Sequence, residues 1–91
     1  MWLEQYKKII ETQNNSWLSD IFTCIKEINK NEFDLKDVYS FEIILKTKHP
    51  FNNNIKEKIR QQLQILRNKN IIDFIGRGKY KKGVLWGNTY F

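Results

Sequence analysis

Between residues 52 and 67 the chain places Asn52, Asn53, Asn54, Lys56, Lys58, Arg60, Gln61 and Gln64 in one run. Carboxamide and guanidinium groups carry paired donors and acceptors that match the adenine and guanine edges open in a DNA major groove, while lysines attract phosphate. The chemistry on offer is recognition by hydrogen bonding. Catalysis finds no such set: paired carboxylates followed by a lysine at nuclease spacing are absent, and His49 and Cys24 are the only residues of their kinds. One histidine and one cysteine do not make a metal site, so neither metal nor cofactor is expected and the chain reads as non-catalytic. Gly76 and Gly78 lack the spacing and the following helix of a phosphate-cradling loop.

Ile55, Ile59, Leu63 and Leu66, spaced four, four and three, keep to one stripe at about 100° per residue, which predicts a helix with its apolar stripe on a core. Asn53, Asn54, Arg60, Gln61 and Gln64 fall on the opposite face as candidates for base edges. An ordinary solvated helix face would look the same, so the neighbouring segments decide. Pro50 and three asparagines open the helix with free backbone N–H groups able to hold a phosphate, and Asn68-Lys69-Asn70 supplies a left-handed stop. Residues 71–75 are β-formers, Gly76-Arg77-Gly78 makes a tight turn, and Lys79-Tyr80-Lys81-Lys82 returns as a second strand. Arg77 at that tip is suited to a minor groove or a phosphate. Lys46, Lys48, Lys56, Lys58, Lys79, Lys81 and Lys82 are the expected phosphate contacts. His49 is read as a turn residue or a phosphate contact, and Asn52 belongs to the same turn.

The remaining segments must hold these residues in place. Residues 1–12 carry Trp2, Leu3, Tyr6, Ile9 and Ile10 at helical spacing, an accessory helix ending in a polar turn, with Ser16 placed to cap the next helix. A helix over 17–29 buries Trp17, Leu18, Ile21, Phe22, Cys24, Ile25 and Ile28. Glu32-Phe33-Asp34 fits a short strand, and Asp34 with Asp37 fits a helix cap. A single helix is expected over 35–46, ending before Pro50. The aromatic tail, 83–91, can extend the wing strand, pack on the body or hang free. The divisions are thus 1–15 accessory helix and linker, 16–82 main domain, and 83–91 tail.

Ninety-one residues, 41% hydrophobic, suit one small domain. The net charge of +6 is unevenly placed: residues 1–45 sum to −3 and residues 46–91, with eleven Lys and Arg against Glu57 and Asp73, to +9. Such a basic half suits a polyanion. A lone cysteine fits a reducing compartment, and no apolar run has signal or membrane-spanning length, so a cytoplasmic, nucleoid-associated protein is expected.

Helix, helix, helix, hairpin is the order of a winged helix-turn-helix, an α+β, mostly α fold with a three-helix core, a C-terminal β-hairpin wing and an N-terminal accessory helix. The residues from 17 to 82 also carry Phe33-x-Leu-x-Asp-Val-Tyr-x-Phe-Glu42, Lys48-His-Pro50, Ile55-Lys-x-Lys-Ile-Arg-Gln-Gln-Leu-Gln-x-Leu-Arg67 and Ile72-x-Phe-x-Gly-Arg-Gly-x-Tyr80. In these the chain resembles the C-terminal winged-helix domain of the DpnI-type methyl-directed restriction endonucleases. The resemblance implies a reader of adenine-methylated duplex DNA of GATC type, in a prokaryotic or phage restriction–modification setting. A nuclease domain would then act with it in cis or in trans. Pro50 and Phe51, at the mouth of the helix, are the expected surface for the methyl group, and a monomer is expected. Two rivals stand beside this reading: a regulator binding an unmethylated operator as a dimer, and a protein-interaction module using its basic face against an acidic partner.

Overall fold

The computed structural model describes residues 17–89. The accessory helix over 1–12, the Ser16 cap, Tyr90 and Phe91 lie outside them. Four helices, a three-stranded antiparallel sheet and a final 3₁₀ turn follow in the order α1 (Trp17–Glu27), β1 (Glu32–Asp34), α2 (Leu35–Tyr39), α3 (Glu42–Lys48), α4 (Ile55–Asn68), β2 (Ile72–Gly76), β3 (Lys79–Lys82) and the turn at Trp86–Asn88. The fold is a winged helix-turn-helix.

α4 is the axis of the core. Its stripe of Ile55, Ile59, Leu63 and Leu66 is buried, and Ile21, Ile25, Val38, Leu45 and Ile72 are buried in the same cluster. α4 touches the other three helices and β2, so fixing the core fixes the direction of its polar face. Cys24 is buried in α1 and has no disulfide. Burial pushes its thiol pKa well above the ordinary value, which makes it a packing residue.

The single helix expected over 35–46 is two. Ser40 Oγ donates to the Asp37 carbonyl (2.6 Å), the acceptor that the Phe41 N–H would need to continue the helix. That N–H donates to Val38 instead (3.0 Å), and the chain bends there into α3. α2 begins with the expected cap: the Asp37 N–H donates to Asp34 Oδ1 and the Asp34 N–H to Asp37 Oδ2, each at 2.9 Å. α4 begins differently. Asn54 makes no side-chain cap; its N–H donates to Asn52 Oδ1 (2.7 Å) one step before the helix. The expected stop is present, with Asn70 at φ 61°.

The sheet runs β1-β3-β2, so β1 lies against the returning strand of the hairpin. Phe33, Tyr80 and Phe74 share one row across it; Phe33 stacks on Tyr80 at 5.7 Å and Phe74 meets Tyr80 edge-on at 6.0 Å. The ladder slips by one residue between Phe74 and Gly76, and Arg77-Gly78 turns the chain with Gly78 at φ 68°, a conformation that favours glycine. The Gly78 carbonyl accepts the Leu35 N–H (2.9 Å), tying the hairpin tip to the start of α2. The tail folds back: Trp86 packs on Phe22 at 4.3 Å.

Candidate nucleic-acid interface

α3, the turn over 49–54 and α4 form the helix-turn-helix, and its polar residues gather at the entry to α4. Asn52, Asn54, Glu57, Lys58 and Gln61 line one open notch of about 320 Å³. Arg60 and Gln64 lie further along the exposed face, and the Gln64 amide donates to Asn68 Oδ1 (3.0 Å). Asn53 stands outside the notch, where its Oδ1 accepts from Lys46 Nζ (3.3 Å). The same ammonium donates to the Asn52 carbonyl (2.7 Å), so Lys46 braces the turn as well as carrying charge. Lys56 lies over the Tyr39 ring at 5.4 Å.

Beside the notch, Pro50 and Phe51 are exposed, and Phe51 keeps 96% of its surface open. This large aromatic ring stands uncovered in the turn that leads into α4, a flat apolar surface beside the polar notch.

Three expected phosphate contacts point inward. The Lys48 side chain is 6% exposed and its Nζ donates to Asp20 Oδ1 (2.5 Å), while His49 Nε2 lies 2.6 Å from Asp20 Oδ2. The His49 ring stacks on Trp17, centroids 4.0 Å apart, so Trp17 is half-buried against the turn. Lys82 Nζ donates to the Ile28 carbonyl (2.9 Å) and lies over Trp86, and burial lowers its pKa. Each ammonium has a partner far off in sequence, which no local pattern reveals.

On the wing, Arg77, Lys79 and Lys81 are exposed. Their surroundings are less positive than the composition of residues 46–91 implies, because β1 brings acids from the other half: Asp34 pairs in register with Lys79, and Glu32 with Lys81, which also faces Asp73. Among the cations of residues 46–91, the surface ones outside this offset include Lys46, those of α4, Lys69 and Arg77 at the tip.

Two acidic residues belong to the site without having been among its candidates, although the helical wheel already puts Glu57 on the polar face. Glu57 shares the notch with the amides and, three residues after Asn54, would complete a capping box; the Asn54 N–H is already taken by Asn52. Asp20, fully buried, anchors the turn. A carboxylate three residues from Trp17 and four from Cys24, on the apolar face of a helix, was the available signal.

Among the described residues no group of three or more His, Cys, Asp or Glu could hold a metal ion, and no helix is long and apolar enough to cross a membrane. A family model described as "Dam-replacing HTH domain" matches residues 13–82, 70 of the 91 positions.

Proposed function

We propose, for a chain that belongs to the Dam-replacing HTH domain family and so carries a DNA-binding helix-turn-helix, that it reads adenine-methylated duplex DNA through the entry of α4. The observation that carries this reading is the pairing of a hydrogen-bonding notch with an uncovered apolar residue: Asn54, Lys58 and Gln61 beside Pro50 and Phe51.

Methylation of the adenine amino group replaces the hydrogen that faces the major groove and leaves the other to pair with thymine. A carboxamide gripping both N6–H and N7 then loses its donor. N7 still accepts, so an amide N–H or an ammonium at the notch retains one bond, while the new methyl group favours a flat apolar neighbour. Asn53, Asn54, Arg60, Gln61 and Gln64 are proposed at base edges. Lys46, Lys56, Lys58, Lys79 and Lys81 are proposed at phosphates, with Arg77 on the flanking backbone or minor groove. Lys48, His49 and Lys82 leave the contact set, since their polar ends are engaged inside the protein. The module acts as a monomer in the cytoplasm and directs a nuclease domain, held in cis or in trans, to methylated sites.

Replacing Pro50 by Ser together with Phe51 by Gly tests this directly. The ratio of affinities for methylated over unmethylated duplex falls toward one, read by titration at fixed salt; an unchanged ratio removes the pair from methyl reading.

A further inference from the structure

We infer that Asp20 is the positioning residue of the recognition turn, holding Lys48 and His49 from behind and so setting where residues 50–54 meet DNA. The inference rests on the DNA-reading role proposed above. Asp20 lies in α1, 28 residues from Lys48, with none of its surface exposed. A buried carboxylate needs charge and hydrogen bonds to offset its lost hydration, and here each oxygen has its own partner: Lys48 Nζ at Oδ1 and His49 Nε2 at Oδ2. Those partners are the last residue of α3 and its C-cap, where the backbone leaves the helix (His49 φ −123°, ψ 67°). Trp17, stacked on the imidazole with 20° between the rings, fixes the ring plane as well.

From His49 the restraint passes along the turn. The His49 carbonyl accepts the Asn52 N–H (3.1 Å), and Asn52 Oδ1 accepts the Asn54 N–H at the mouth of α4. No apolar side chain between Pro50 and Asn54 is buried, so the turn has no hydrophobic anchor of its own. Polar contacts define it, and among the described residues its buried charged contacts run back to Asp20.

Stability and positioning are separable, because a buried ion pair exchanged for apolar residues of similar size often leaves a protein as stable or more so. The test is the double variant Asp20→Leu/Lys48→Met, with Asp20→Asn/Lys48→Gln as the closer steric match should the first not fold. The expected result has three parts. The thermal midpoint stays near that of the parent. Amide exchange at Asn52 and Asn54 rises on the order of tenfold while that at Ile59 and Leu63 stays unchanged. Affinity for the preferred duplex falls on the order of tenfold, since the contacting groups lose their set positions. A folded variant with unchanged exchange at Asn52 and Asn54, or with unchanged duplex affinity, overturns the inference. Failure of the parent protein to bind any duplex would instead sink the DNA reading, and the exchange comparison would still decide whether Asp20 holds the turn.

Discussion

Asp37 illustrates how a single carboxylate can do local work with a pH signature. Its pKa is held below the ordinary value, first by the Asp34 N–H it accepts and then by the Lys30 ammonium at 3.0 Å. A group whose folded pKa lies below its unfolded one adds stability above the unfolded value, and that contribution is lost as the pH falls through the folded value. Asp37→Asn should therefore show a shallower loss of stability on acidification below about pH 4 than the parent, followed by thermal melts across pH. Asp20 responds to substitution for a different reason. Asp20→Ala removes the carboxylate that pairs with the Lys48 ammonium in a site of almost no exposure, and breaking such a pair costs about 3–5 kcal/mol, a large part of a small domain's stability. Urea denaturation measures that loss; a change below about 1 kcal/mol would mean that Lys48 finds a new partner or water.

At the scale of elements, the wing and the helix-turn-helix divide the labour. Arg77 stands exposed on a tip whose backbone is tied to α2, so Arg77→Ala should weaken binding to every duplex alike and reduce the salt slope by about one, without altering preference. A sequence-selective loss would place Arg77 at a base instead. Much of this architecture was legible because it is local: the stripe from Ile55 to Leu66 declared α4, Gly76-Arg77-Gly78 declared the hairpin, and Asp34 with Asp37 declared a cap. The parts that were not legible depend on long-range partners or on side chains competing with backbone. The break in the helix over 35–46, where Ser40 Oγ competes for the Asp37 carbonyl and the Phe41 N–H turns to Val38, leaves the apolar periodicity intact. Lys48 and His49 turn inward to Asp20, and Lys82 to the Ile28 carbonyl, partners 28, 29 and 54 residues away that no local pattern could reveal. In the same way the charge division at residue 45 put a net +9 on the half that holds helix and wing, whereas β1 sets Glu32 and Asp34 of the other half beside the wing's lysines.

At the scale of the whole molecule, the surface cations of the described residues that lie clear of the β1 acids include Lys46, those of α4 and the wing tip. Lys46, Lys56, Lys58, Arg60, Arg77, Lys79 and Lys81 remain for phosphate or base contacts. If four to six of them meet phosphates, log affinity should fall against log salt with a slope of about −4 to −5. Their charge alone binds any duplex; preference must come from the entry of α4. The decisive measurement is a fluorescence anisotropy titration at one stated salt concentration, comparing fully methylated GATC duplex, the same sequence unmethylated, and a duplex lacking the site. Tighter binding of the methylated duplex than of either other is the predicted result, while equal binding of all three would contradict methyladenine reading and leave only the basic helix-turn-helix.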